Sequence, residues 1–86
     1  MTLNNKLAQK RLLIIGGSSG IGLATAQQAN AAGAQTIVAG RSEAKLQAAV
    51  ASIGGDVTAY PVDLTDDGSV KSLFEKVGDL DYLVIT

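Results

Sequence analysis

The segment Gly16-Gly17-Ser18-Ser19-Gly20-Ile21-Gly22 puts four glycines within seven residues, directly after the apolar run Leu12–Ile15. A glycine-rich turn between a strand and a helix can present backbone N–H groups to a phosphate, and the helix N-terminus adds a partial positive charge. In such a turn Gly16 permits the sharp exit from the strand and Gly20 leaves room for the approaching phosphate. Gly22 lets the helix pack closely on the sheet. The spacing is Gly-x-x-x-Gly-x-Gly rather than the common Gly-x-Gly-x-x-Gly. Taken alone, the same residues also suit a plain turn.

Two further places carry polar groups that could act beside that loop. Arg41 and Ser42 follow Gly40 at the end of the second apolar run, and Asp63-Leu64 follow the third. A carboxylate at the carboxyl end of a strand can accept from the amino group of a base. Asp63 also suits a helix cap or a turn beside Thr65.

The elements that would position these groups alternate along the chain. Leu12–Ile15 reads as a strand buried on both faces. Gly20–Ala32 is rich in Ala and Gln and reads as a helix stopped by Gly33. Gln35–Ala39 is a second strand. Ser42 caps a second helix, whose apolar positions Leu46, Ala49, Val50 and Ile53 recur at helical spacing up to Gly54-Gly55. Val57–Val62 is a third strand, assigned to a sheet edge because Pro61 cannot donate to a ladder. Thr65 is read as the cap of a third helix, with Asp66 and Asp67 in its first turn and Val70, Leu73, Phe74 and Val77 as its apolar stripe. Gly78 closes it, and Tyr82–Thr86 is the fourth strand. This β-α-β-α-β-α-β order with short connections predicts an α/β fold with a parallel sheet and right-handed crossovers.

Composition narrows the chemistry. The 86 residues fit one domain, residues 1–86. Seven Lys and Arg against eight Asp and Glu give a net charge of -1, which argues against nucleic acid as a partner. With no Cys and no His, thiol chemistry, the usual zinc ligands and a histidine acid or base are excluded, and no metal site is expected. No apolar run reaches the roughly 20 residues that cross a bilayer. No signal-peptide pattern follows Met1, so a soluble cytoplasmic protein without a membrane partner is expected.

The loop Gly16-x-Ser18-Ser19-Gly20-Ile21-Gly22 resembles the cofactor loop of the short-chain dehydrogenase/reductase family. The resemblance extends through Val38-Ala39-Gly40-Arg41-Ser42, Val62-Asp63-Leu64 and Leu80-Asp81-Tyr82-Leu83-Val84, so it covers nearly the whole chain. It implies a Rossmann-type three-layer αβα half, with four parallel strands in order 3-2-1-4 and three helices. It also implies that Gly16, Ser18, Ser19, Gly20, Ile21 and Gly22 line the pyrophosphate and adenosine ribose of a dinucleotide. Asp63 and Leu64 would hold its adenine. Four positions depart from the family pattern. Ile15 stands where Thr is usual, and Ala29 stands where a large apolar residue is frequent, which predicts looser packing of the first helix. Ile85-Thr86 stand where the family has the start of an Asn-Asn-Ala-Gly-like run.

Within that resemblance the end of the second strand selects the cofactor. NAD sites place an acid there for the ribose 2′-hydroxyl, whereas this chain has Gly40 followed by Arg41 and Ser42, which suit a 2′-phosphate. NADP is therefore expected over NAD, although Arg41 could also be a solvated loop charge. The family's catalytic Tyr-x-x-x-Lys is missing from these residues, because Leu64 lies four beyond Tyr60 and Thr86 four beyond Tyr82. No catalytic residue is assigned. The chain is expected to be the truncated NADP-binding part of an oxidoreductase acting on a carbonyl or alcohol, inactive by itself. It is expected to form a homo-oligomer through the exposed edge Tyr82–Thr86. The alternative is a non-catalytic Rossmann module, either a nucleotide sensor or a self-assembling structural unit.

Overall fold

In the computed structural model, which describes residues 8–16 and 20–86, strands and helices alternate. β1 (Arg11–Ile15) is followed by α1 (Gly20–Ala31), β2 (Gln35–Gly40) and α2 (Glu43–Ile53). β3 (Val57–Pro61), α3 (Asp67–Val77) and β4 (Tyr82–Ile85) complete the order. The strands form one parallel sheet in the order β3-β2-β1-β4. The expected Rossmann-type half-fold is present, with β3 and its Pro61 at an edge.

Alternation of side chains along each strand builds two cores. Leu12, Ile14 and Val38 face α1 and α2, where they bury against Ala26, Ala29 and Leu46. Leu13, Ile15, Ile37 and Ala39 face the opposite side and bury against Leu73 and Val77 of α3. Helices on both faces explain why β1 and β2 read as unbroken apolar runs rather than as alternating ones. Ala29, the position of the expected loose packing, is buried in the first core beside Leu46, with Ile53 packed against the same cluster. Small residues at Gly22, Ala26 and Ala29 form the buried face of α1, so that helix can lie close to the sheet.

Some boundaries and roles differ from the sequence reading. α1 ends at Ala31 rather than Ala32, and Ala34 N donates back to Ala29 O at 3.1 Å. β1 starts one residue earlier, at Arg11, and β2 extends to Gly40. β3 ends at Pro61, but Val62 N still donates to Gly40 O at 2.8 Å. β4 ends at Ile85, while Thr86 N donates to Ile15 O at 3.0 Å. Ser42 caps α2 as expected, its hydroxyl accepting from Lys45 N at 3.3 Å.

The cap of α3 is Asp66 and not Thr65. The Asp66 carboxylate accepts from Gly68 N at 2.9 Å and Ser69 N at 3.3 Å. Thr65 is turned the other way, its hydroxyl donating to Asp63 Oδ1 at 2.6 Å. Phe74, read as part of the buried stripe, is exposed instead. Leu73 and Val77, one helical turn apart, take the sheet-facing row, which leaves Phe74 on the flank of a helix that covers its face alone among the described residues.

Candidate functional site

The carboxyl ends of the parallel strands meet in a cleft of about 570 Å³. Each wall is set by an element end. β1 supplies Ile15 and Gly16, and β2 supplies Gly40 and Arg41. The first turn of α2 brings Ser42 and Lys45, and the segment after β3 brings Asp63, Leu64 and Thr65. Thr86, just past β4, closes the remaining side.

Gly16 leaves β1 with φ +91°, a left-handed conformation that side chains disfavour. Its N–H donates to Ala39 O at 2.8 Å, which ties the turn to β2. A Cβ built on Gly16 would stand 2.5 Å from Thr86 Oγ1 and 2.9 Å from the Thr86 carbonyl oxygen, so the strand end and the turn approach too closely for any side chain. Gly20 opens α1 with φ +59°, and a Cβ there would meet no heavy atom of the described residues within 4 Å. The helix carries no acidic residue in its first turn. An N-terminus of that kind favours an anion from outside the chain. Ile21 follows with 79% of its surface exposed, whereas Gly22 is buried against the sheet. Gly20, Ile21 and Gly22 lie outside the lining of the cleft itself. Ser18 and Ser19, with Gly17, lie outside the described residues.

Arg41 and Ser42 are brought together where the sequence placed them. Because Ser42 uses a lone pair to cap α2, its hydroxyl proton remains available to a ligand. Beside them stands Lys45, which the sequence reading missed. Its signal was present, because a residue three beyond a helix cap lies on the first turn and shares the side of the cap. Charge alone did not separate it from a solvated helix face.

Asp63 is both a turn residue and a wall of the cleft. Its Oδ1 accepts from Thr65 N at 2.9 Å and from Thr65 Oγ1 at 2.6 Å. The Thr65 hydroxyl and amide, together with the weaker field of Arg41, hold the Asp63 carboxyl below its usual range, so it is ionised at neutral pH. The turn suggested by Thr65 is present, and among the described residues Oδ2 has no hydrogen-bond partner. Leu64 is half exposed beside it and offers an apolar surface to the cleft. The cleft therefore combines two cations, a free hydroxyl, one carboxylate oxygen and an apolar wall next to a glycine turn. These groups fit a nucleotide whose phosphates lie toward the helix and whose base lies toward β3.

The family model described as short chain dehydrogenase matches residues 10–86. The chain is 41% identical over 88 residues to a galactitol 2-dehydrogenase of Agrobacterium fabrum, covering 98% of this chain and 33% of that protein. It is 35% identical over 83 residues to a 3-dehydrosphinganine reductase of Arabidopsis thaliana, covering 92% of this chain and 26% of that one. Among solved structures it is similar to a short chain dehydrogenase/reductase family protein, with TM-score 0.89 and 36% identity over 91% of this chain and 33% of the other. It is also similar to a structure described as the Pseudomonas aeruginosa RhlG/NADP active-site complex, with TM-score 0.84 and 30% identity over 100% of this chain and 37% of that one. The chain thus spans about a third or less of the length of the curated relatives it matches.

Proposed function

Because this chain belongs to the short-chain dehydrogenase family, we propose that its residues form the NADP-binding part of an oxidoreductase acting on a carbonyl or alcohol substrate. Family membership implies a nicotinamide dinucleotide. The choice of NADP rests on one arrangement: Arg41, Ser42 and Lys45 share the wall of the cleft at the end of β2, where Gly40 stands in place of an acid. Two cations and a hydroxyl donor suit the dianionic 2′-phosphate of NADP, and no carboxylate at that strand end repels it. One of the similar structures is itself described as an NADP complex.

In this reading Gly16 and Gly20 shape the turn and leave space for the pyrophosphate at the N-terminus of α1. Ser18, Ser19, Ile21 and Gly22 complete that loop. Asp63 accepts from the adenine amino group through Oδ2, and Leu64 packs on the ring. The bound nicotinamide supplies hydride transfer. The groups that would protonate a carbonyl are not among these residues, since no Tyr-x-x-x-Lys occurs in them. The chain alone binds cofactor without turnover, as a soluble cytoplasmic part of the enzyme. Among the described residues no helix is long and apolar enough to cross a membrane.

The assigned contacts all lie on the adenine, ribose and pyrophosphate side. Adenosine diphosphoribose 2′-phosphate is therefore expected to bind within about threefold of NADP, and at least tenfold tighter than unphosphorylated adenosine diphosphoribose, a difference of about 1.4 kcal/mol. Competition measured by displacement of a fluorescent nucleotide checks this. Equal affinities for the phosphorylated and unphosphorylated compounds would overturn the assignment.

A second reading, a homo-oligomeric structural unit, draws on the free edge of β4. Tyr82, Leu83 and Ile85 are exposed there, on a strand that among the described residues pairs with β1 alone. An apolar edge of that kind is a template for another strand. On this reading, sedimentation of the chain at high concentration yields dimers or larger species, and Leu83→Lys returns it to monomer. A monomeric original chain removes the reading.

A further inference from the structure

A second cleft, of about 510 Å³, lies on the far side of Arg41, between the end of β3 and α3. Its existence follows from the layer geometry. A helix is roughly 10 Å wide, whereas four strands about 4.8 Å apart span about 15 Å. α3 is centred on β1 and β2, where Leu73 and Val77 meet Leu13, Ile15, Ile37 and Ala39. The outer strand β3 reaches this cluster through the half-buried Tyr60, with Val62 just beyond it, and a space remains between that strand end and α3.

What lines this space is unlike a leftover apolar gap. Arg41 and Lys76 enter from opposite walls, and Ser69 and Ser72 stand on the same side of α3 as Lys76. Tyr60 and Pro61 form the β3 wall. The Ser69 hydroxyl oxygen accepts from Asp63 N at 2.9 Å, so its proton is left to donate elsewhere. Among the described residues Asp63 is the only acid in the lining, and its Oδ1 is already engaged by Thr65. Two cations and hydroxyl donors facing one half-engaged carboxylate make a site for an oxyanion. The flat wall of Tyr60 and Pro61 suits a small organic body attached to it.

We propose that this cleft binds a phosphomonoester, its phosphate held by Arg41, Lys76, Ser69 and Ser72 and its organic part set against Tyr60. The site is distinct from the dinucleotide cleft, sharing Arg41, Val62 and Asp63 as a common wall, and it does not rest on the NADP assignment. An anion seated here engages Arg41 from the other side, so occupancy of one cleft weakens the other through that guanidinium.

The test is a titration of the isotope-labelled chain with inorganic phosphate and with phenyl phosphate, followed by amide resonances, against sodium chloride at equal ionic strength. Saturable shifts at Ser69, Ser72 and Lys76 are expected, with phenyl phosphate binding severalfold tighter. Lys76→Ala is expected to weaken phosphate about tenfold at these amides while leaving the shifts around Gly40–Lys45 in place. The same α3 shifts are expected to persist, at reduced affinity, with saturating NADP present. Phosphate shifts confined to Gly40–Lys45, or unchanged by Lys76→Ala, would overturn the proposal. Because the α3 amides are read without dinucleotide, a chain that fails to bind NADP still tests this site.

Discussion

Arg41→Asp is expected to lower NADP affinity about 100-fold or more and to raise NAD affinity, reversing the preference of the cleft. The size follows from what changes. A charge-assisted hydrogen bond to the 2′-phosphate contributes about 1.5–3 kcal/mol, and the new carboxylate adds repulsion against a dianion. For NAD the same carboxylate can accept from the ribose 2′-hydroxyl, as acids at this strand end do. Lys45 remains on the cleft wall in the variant, so NADP binding is weakened rather than abolished. Arg41 is exposed, and an exposed charge contributes little to folding, so the thermal midpoint should move little. Calorimetric titration of both cofactors against the variant and the original chain measures the change. Unchanged NADP affinity would return Arg41 to the status of a solvated loop charge.

Gly16→Ala is expected to destabilise the fold by about 2–5 kcal/mol and to remove measurable dinucleotide binding. Two costs combine. A side chain held at φ +91° is strained by about 1–3 kcal/mol. The added Cβ would lie 2.9 Å from a backbone oxygen of Thr86, and relieving that contact means moving the end of β4 away from β1, at a further 1–3 kcal/mol. Small domains have only about 5–15 kcal/mol of stability in total. Urea unfolding would show the loss, and a variant within 0.5 kcal/mol of the original would show that the turn relaxes without cost. Gly20→Ala separates the two roles of the loop. Among the described residues nothing lies within 4 Å of its Cβ, so the cost comes from its φ of +59° and the variant should unfold later than Gly16→Ala, while still obstructing the approach to the start of α1.

Much of the fold was legible because a parallel sheet covered on both sides writes itself as short apolar runs. Leu12–Ile15 and Gln35–Ala39 could be read without knowing their partners, and Pro61 placed β3 at an edge by removing one donor. Glycine turns fixed the ends of the elements, and Arg41, Ser42 and Asp63 stood out as candidates because they follow strand ends, where a parallel sheet gathers its loops. Other features depend on competition between neighbours. Thr65 and Asp66 are both good caps, and only the bond from Thr65 to Asp63 shows which of them is free to cap α3. Phe74 looked buried because its helical spacing is right, but Leu73 and Val77 take the sheet-facing row and no second helix among the described residues covers that flank of α3. Lys45 and the cleft beside Lys76 arise from the packing of separate elements and have no local motif.

Calorimetric titration of the original chain with NADP and with NAD, under identical buffer and salt, tests the central assignment most directly. One site per chain is expected, with NADP bound at least tenfold tighter than NAD, and with the difference shrinking as ionic strength rises because it is carried by exposed charges. Equal affinities, or no binding of either dinucleotide by a chain whose amide spectrum shows it folded, would contradict it.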